Sequence, residues 1–171
     1  MIELEKTYLV KEVPKNLTAC PSKEIIDLYV PRSQHHPKLR IRKNGNKFEI
    51  TKKEPLEEDA SEQEEQTIIL TEEEFYSLVE VEGKKTHKIR YNYDYNGRTA
   101  EFDVFQGPLK GLILVDFEFD SVEDKNSFQM PDFCLRDVTH EEFIAGGMVC
   151  GKSYEDIQEN LNKFSYKRLE I

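Results

Sequence analysis

The sequence predicts an α+β protein in which an antiparallel sheet or closed barrel carries a few helices. About eight short segments have the residue pattern of strands, and short turns join most of them. Parallel strands would need long crossover connections, so the short turns favour antiparallel pairing. Capping sequences mark helices between and after the strands.

Strands and one hairpin are predicted in the first part of the chain. The first strand covers Ile2–Val10, and a second covers residues 24–30. A hairpin covers residues 38–53, because Asn44-Gly45-Asn46 contains the Asn-Gly pair that tight hairpin turns favour. The strongly acidic run at residues 54–65 is predicted to be a mobile loop.

A second hairpin and a further strand are predicted in the rest of the sheet. The hairpin covers residues 84–105 around Asn96-Gly97, and the strand covers residues 112–119. No solenoid repeat and no linker interrupts the chain. We therefore predict a single domain for residues 1–171, with a helical tail from about residue 139.

Helix starts are marked by capping residues. Thr71 is the predicted N-cap of one helix, and Glu74 stands where it completes a capping box. Ser121 is expected to cap a short helix. In the tail, helices are predicted to start at Thr139 and to cover residues 153–164.

Composition limits the classes of partner. The formal net charge of −10 argues against a nucleic-acid or anionic-membrane binder, since both need a broad positive surface. The negative net charge is still compatible with a local basic pocket that binds a compact polyanion.

The three cysteines are widely spaced and form no CxxC pair, which indicates reduced thiols and a cytoplasmic location. The charged start predicts no signal peptide, and no apolar run is long enough to span a membrane.

The strands carry charge of one sign on alternate positions. Successive side chains of a strand point to opposite faces, so each such set shares one face. The acids form three pairs on separate strands: Glu3 and Glu5, Glu101 and Asp103, Asp116 and Glu118. Oxygen ligands in this number suit Mg²⁺ or Mn²⁺.

The bases with the same inward parity are Arg40, Arg42, Lys53, Lys88 and Arg90. Arginine and lysine of this kind bind phosphate oxygens. A solvated sheet face and cross-strand salt bridges are the simpler alternatives.

The ordered series of these segments resembles the CYTH family, also called triphosphate tunnel metalloenzymes. The matching segments are Glu3-Leu4-Glu5-Lys6-Thr7, Leu39-Arg40-Ile41-Arg42, Thr51-Lys52-Lys53, Lys88-Ile89-Arg90-Tyr91, Glu101-Phe102-Asp103-Val104-Phe105, residues 107–114, Asp116-Phe117-Glu118-Phe119 and Val138-Thr139. Each segment is a weak signal alone, but together they span roughly residues 1–140 in the expected order.

The resemblance implies an eight-stranded antiparallel barrel, open as a tunnel, with helices packed outside. It implies metal-dependent hydrolysis of inorganic triphosphate or a small organic triphosphate, with Mg²⁺ or Mn²⁺ as cofactor. The acids would then hold metal or take part in catalysis, and the bases would bind phosphate. Dimers are known in the family, and a homodimer is one state open to this chain.

Two positions depart from the family pattern. Thr7 stands where the N-terminal motif has a lysine, and a threonine offers only a neutral hydrogen bond there. In the middle of the chain, Glu62 stands near a position that often holds a basic residue, and Glu64 is an uncertain site residue beside it.

Three other functions stay open from the sequence. One is a non-catalytic polyphosphate or nucleotide binder, which the neutral Thr7 favours. Another is adenylyl cyclase, an activity of one branch of the family. The third is a P-loop hydrolase, because residues 146–153 match the spacing G-x-x-x-x-G-K-S. A buried strand should precede a P-loop, and residues 141–145 form a poor one, so a Gly-rich turn between tail helices is favoured.

Overall fold

A computed structural model describes residues 2–56 and 59–171. The strands formed by these residues are β1 (Ile2–Val10), β2 (Ser22–Val30), β3 (Leu39–Asn44), β4 (Lys47–Leu56), β5 (Asp59–Leu70), β6 (Lys84–Tyr95), β7 (Arg98–Phe105), β8 (Ile113–Phe119) and β9 (Cys134–Asp137). The α-helices are α1 (Glu72–Leu78), α2 (Val122–Ser127), α3 (Gly146–Val149) and α4 (Tyr154–Asn162). None of these helices is long and apolar enough to cross a bilayer.

Eight of the strands close into an antiparallel barrel, which confirms the predicted fold. Their order around the barrel is β5-β4-β3-β2-β6-β7-β8-β1, and β1 pairs with β5 to close it. The closing contact joins Ile2–Leu4 of β1 to residues 62–64 of β5. The other edge of β1 pairs with β8, and its last residues also pair with β9. The closing contact is short, because it covers three residues of each strand, and β5 continues beyond it to Leu70.

Both predicted hairpins are present, with turns that suit their sequence. Asn96 and Gly97 have φ angles of +53° and +81°, a left-handed conformation that asparagine and glycine adopt most easily. The Gly97 amide donates to Oδ1 of Asp94 at 2.9 Å. These turns fix the registers of β3 with β4 and of β6 with β7. Side chains with the same parity therefore share the inside of the barrel.

The predicted loop at residues 54–65 is wrong over most of its length. β4 continues to Leu56 and β5 begins at Asp59, with residues 57 and 58 outside the described part. Cations next to the strands offset the negative charge that suggested a loop. Lys52 lies 3.3 Å from Glu54, and Lys125 lies 3.1 Å from Glu62. Paired acids can stay in a strand where unpaired ones would repel each other.

The caps at Thr71 and Ser121 form as predicted, and Ser153 caps α4 in the same way. Each hydroxyl accepts a hydrogen bond from an amide three residues on. The helix predicted at Thr139 is wrong. The Thr139 hydroxyl donates to Asp137 at 2.6 Å and accepts from the Thr7 amide at 3.1 Å, so it ties the chain to β1. A single 3₁₀ turn, Glu142–Ile144, follows.

The largest core clusters lie on the outside of the barrel and across one of its ends. On the outside, Tyr8, Phe102 and Phe117 are fully buried among aromatic neighbours. Across the end, the inward-facing Leu9 and Leu114 pack with Leu161 of α4. The tail therefore covers one end of the barrel with apolar side chains, and the charged part of the interior lies beyond them.

Candidate active site

A cavity of about 620 Å³ lies inside the barrel, and all the predicted acids and bases line it. They are Glu3, Glu5, Arg40, Arg42, Lys53, Lys88, Arg90, Glu101, Asp103, Asp116 and Glu118. The alternation of the strands brings them together, because each residue has the inward parity of its strand. Thr7 also lines the cavity. The charged side chains therefore form one site and not a solvated outer face.

A row of acids runs across β1, β8 and β7. Glu5 lies opposite Glu118, Thr7 opposite Asp116, and Asp116 opposite Glu101. Burial and the neighbouring charge of Asp103 raise the pKa of Asp116, and burial and the charge of Glu101 raise that of Glu118. Burial is the larger cause of both shifts, and the neighbouring carboxylates add to it because like charges disfavour ionisation.

Lys53 lies between the first two acids of the row. Its Nζ is 3.1 Å from Oε2 of Glu5 and also contacts the Glu3 carboxylate. Burial works against the charged ammonium, but the charges of Glu5 and Glu3 outweigh it and raise the pKa of Lys53. Gln63 of β5 donates to Oε1 of Glu5 at 2.7 Å. Both Glu5 oxygens therefore have donors.

Asp103 lies among bases. Nε and NH2 of Arg90 donate to its two oxygens at 2.6 and 2.7 Å, and Lys88 also contacts it. Burial disfavours its charge, but Arg90 and Lys88 hold the pKa of Asp103 well below its usual range. Arg90 also donates to Asp116 at 3.1 Å and contacts Glu101. The cross-strand salt bridges considered for the bases do form, inside the cavity.

Asp27 of β2 is the buried partner of the cavity residue Arg42, and the sequence reasoning missed it. Its two oxygens accept from Nε and NH2 of Arg42 at 2.6 and 2.8 Å. Burial disfavours the Asp27 carboxylate, but the Arg42 charge and hydrogen bonds lower its pKa to about 2. A single acid in the otherwise apolar stretch 25–30, with a parity that aligns it with Arg42, was the available signal.

Arg40 is a base of the cavity with an unused donor. Its Nε is buried and has no hydrogen-bond partner in the described part of the chain. Its NH2 lies 3.8 Å from Glu65, which is an ion-pair contact beyond hydrogen-bond range. An unsatisfied buried donor of a charged group is costly, so a site of this kind is suited to an anionic oxygen.

Thr7 and Glu64 are the two residues whose place in the site the sequence left open, and only Thr7 lines the cavity. The Thr7 hydroxyl donates to Oδ1 of Asp116 at 2.7 Å inside the cavity. Glu64 is exposed and does not line the cavity, because its parity on β5 is outward. The inward residues of this strand are Gln63 and Glu65. The placement of Glu64 in the site is therefore corrected.

The segment 146–153 consists of the short helix α3 (Gly146–Val149) and a turn at residues 150–153 that leads into α4, and the turn between tail helices favoured from the sequence is therefore confined to its last four residues. α3 and α4 flank the turn, and no strand of the described residues runs into it. Gly146 lies against the Tyr29 hydroxyl, where a Cβ would approach to 2.1 Å, and Gly147 lies against the Pro37 carbonyl. These glycines allow the tail to pack at the edge of the cavity and do not form a phosphate loop.

The acids have the chemistry of a divalent-cation site. Carboxylate oxygens are the preferred ligands of Mg²⁺ and Mn²⁺. The Lys53 ammonium already stands between Glu3 and Glu5 as a cation. Within residues 2–56 and 59–171, no group of three or more His, Cys, Asp or Glu is arranged to hold a metal ion. The carboxylates are therefore of the type that binds such an ion, while in this structure Glu3 and Glu5 are paired with Lys53.

Comparisons with known proteins agree with this geometry. The chain is 30% identical to an inorganic triphosphatase of Nitrosomonas europaea over 145 residues, which cover 83% of this chain and 92% of the relative. It is also similar to the crystal structure of the inorganic triphosphatase NE1496, with a TM-score of 0.64 and 24% identity over 88% of this chain and 95% of that one.

A putative adenylate cyclase from Bacillus halodurans has a TM-score of 0.53 and 15% identity over 99% of this chain and 92% of that one. At 24% and 15% identity, these two solved structures show that the fold is shared, and the likeness carries no argument about activity. A scan of family models gave no match. The triphosphatase of Nitrosomonas europaea is similar enough to place this chain in the same protein family, because the 30% identity extends over 92% of that relative.

Proposed function

We propose that this chain, which belongs to the CYTH family of triphosphate tunnel metalloenzymes, hydrolyses a triphosphate inside its barrel. One observation carries the proposal: the closed barrel holds a row of acids and a set of bases around a single cavity. The relative named inorganic triphosphatase supports the same reaction, and it makes inorganic triphosphate the first substrate to test. An organic triphosphate such as ATP or thiamine triphosphate is the alternative.

The bases divide into two groups in this proposal. Arg40, with its unpartnered Nε, binds phosphate oxygens directly. Arg42, Lys88 and Arg90 are held by Asp27 and Asp103, which fix their positions and leave part of their donors for substrate. Guanidinium groups held in place in this way need no reorganisation when charge develops on the transferring phosphate.

Glu3, Glu5 and Glu118 would hold a Mg²⁺ or Mn²⁺ ion. Glu118 lies directly across from Glu5, and the charges of Glu3 and Glu5 contribute to its raised pKa. When bound, the metal supplies charge that polarises phosphate oxygens.

Asp116 is the proposed proton acceptor. Thr7 donates to its Oδ1 and Arg90 to its Oδ2, so the carboxylate is oriented. Its raised pKa favours uptake of a proton from the attacking water. The water oxygen bonds to the terminal phosphorus, the phosphoanhydride P–O bond breaks, and the proton of water passes to Asp116. The products from inorganic triphosphate are phosphate and pyrophosphate.

A phosphate-release assay tests the proposal. Purified protein is given tripolyphosphate, ATP or thiamine triphosphate, with and without Mg²⁺ or Mn²⁺. We expect metal-dependent release that falls about 100-fold or more in Glu5→Gln and in Arg40→Ala, since each removes a group aimed at the reacting charge. Arg32→Ala is the matched control, because Arg32 is exposed and pairs only with Glu82 at 3.6 Å among the described residues. Equal release by Arg40→Ala and wild type would contradict the proposal.

A polyphosphate-binding module without turnover is the second candidate. The observation that favours it is Thr7, which places a neutral hydroxyl against Asp116 where the family motif has a lysine. In that case the assay gives no release from any substrate, while tripolyphosphate still raises the melting temperature of the wild type. Arg40→Ala would then abolish this thermal shift.

We also propose a cytoplasmic location. Cys20, Cys134 and Cys150 are all free thiols, and Cys134 and Cys150 are buried. Burial and the charge of Asp137 raise the pKa of Cys134 to about 12, and burial raises that of Cys150 to about 11. Thiols of this kind are unreactive structural groups, as expected in a reducing compartment.

A further inference from the structure

The ammonium group of Lys53 occupies the place of the proposed metal ion. It contacts both Glu3 and Glu5, two of the three carboxylates that would hold the ion. The three side chains are between 17% and 26% exposed, so water screens their charges only in part. A divalent cation and an ammonium repel each other, and both cannot neutralise the same two carboxylates at contact distance.

The surroundings of Lys53 offer it a second place. It lies opposite Glu65 of β5, and Arg40 is near enough for its charge to disfavour the Lys53 cation. Two cations side by side are unfavourable unless an anion lies between them. Arg40 also keeps its buried Nε free of partners in the described structure. A phosphate beside Arg40 would therefore attract an ammonium released from Glu3 and Glu5.

We propose that Lys53 is the internal counter-ion of Glu3 and Glu5, and that a divalent cation displaces its ammonium toward Arg40, where the two bases bind one phosphate together. This inference rests on the proposed function. Lys53 is then a positioning residue in the metal-free protein and a phosphate ligand in the loaded one. By linkage, metal and polyphosphate each raise the affinity for the other.

Calorimetric titration of the protein with Mn²⁺ alone is the first test, because it needs no turnover. The variants are Lys53→Met and, as the matched control, Lys52→Met. Lys52 is the neighbouring lysine on the outer face, half exposed and paired with Glu54. We expect Lys53→Met to bind Mn²⁺ about tenfold more tightly than wild type, since the competing ammonium is gone. Lys52→Met should bind as wild type does.

Reductive methylation of wild-type lysines followed by mass spectrometry is the second test, and it needs no variant to fold. Mn²⁺ should increase the methylation of Lys53 severalfold and leave Lys52 unchanged, because an amine freed from two carboxylates reacts faster. Unchanged methylation of Lys53, or a Lys53→Met that folds and binds Mn²⁺ no more tightly than wild type, would overturn the inference. If phosphate release still depends on metal in that case, the proposed function stands. If wild type neither binds Mn²⁺ nor releases phosphate, both fail.

Discussion

The two ends of the barrel interior differ, although the same strands build both. β1 carries Glu5 into the cavity and Leu9 into the covered end four residues later. β8 runs antiparallel to β1, so its Leu114 comes first and lies opposite Leu9 at the covered end. Glu118 follows four residues later and lies opposite Glu5 in the cavity. The alternation along each strand is continuous, and only the residue type changes. The two ends also differ in what the inward side chains contact.

At the apolar end, the tail supplies these contacts. Leu9 and Leu114 pack with Leu161 of α4 and lose nearly all contact with water. At the charged end, acids and bases pair with each other inside the cavity. Burial of apolar surface stabilises the fold, whereas partly buried ion pairs repay little more than their loss of hydration. The apolar end therefore contributes stability, and the charged end supplies binding.

Truncation at the apolar end should give the largest loss of stability. Leu161→Ala removes a fully buried side chain, and we expect the free energy of unfolding to fall by about 2–5 kcal/mol in urea titrations. Phosphate release per folded molecule should stay unchanged, since Leu161 does not line the cavity. Ile68→Ala is the control, because Ile68 is 66% exposed. A loss of turnover without a loss of stability would break the distinction between the two ends.

Loss of the buried Asp27 charge should reduce stability by a smaller amount that depends on pH. The pKa of Asp27 is lowered to about 2 in the folded protein, from 3.8. Its charge thus stabilises the fold fully above pH 4, and this contribution is lost as the pH falls through 2. At pH 7 it is about 2–3 kcal/mol, and at pH 3 about half of that remains.

Asp27→Asn removes this charge while keeping the size of the side chain. We expect urea titrations to show this variant less stable than wild type by about 2 kcal/mol at pH 7, with the difference shrinking toward pH 3. Asp132→Asn, at an exposed position, is the control. A difference that is constant from pH 7 to pH 3 would show that the Asp27 charge does not act through Arg42.

The barrel could be predicted from the sequence because each signal was local. Asn96-Gly97 fixes a turn, and the parity of each strand then decides which charges face inward. The prediction of a loop at residues 54–65 was wrong because the structure there depends on contacts that are remote in sequence. The strand depends on cations such as Lys125, which is remote in sequence and reaches Glu62 only in the folded chain. The inward residues Gln63 and Glu65 were lost with it.

The pairing inside the cavity could not be predicted for the same reason. Residue types identified the acids and bases, but partner choice depends on register between distant strands. Asp103 and Arg90 face each other across the second hairpin, while Lys53 reaches Glu3 and Glu5 across the closure of the barrel. A pattern of alternating charge gives the face of each side chain and leaves its counter-ion open.

A change at the charged end should give the smallest effect on stability, with the opposite sign. Burial and the neighbouring charges of Glu101, Glu3 and Glu5 raise the pKa of Glu118, so its carboxylate is repelled in the metal-free protein. Glu118→Gln removes that repulsion and should increase the free energy of unfolding by about 0.5 kcal/mol, a modest gain because the side chain is partly solvated. Urea titration in the presence of a chelator measures it, with Glu12→Gln as the exposed control.

The same variant should lose Mn²⁺ affinity, because Glu118 is a proposed ligand. Gain of stability together with loss of metal binding is what separates the charged end from the apolar end, where stability falls and binding is kept. If Glu118→Gln instead destabilises the metal-free protein, the acids are balanced by cations in the resting state. A net repulsion of the Glu118 carboxylate by Glu101, Glu3 and Glu5 would then be refuted.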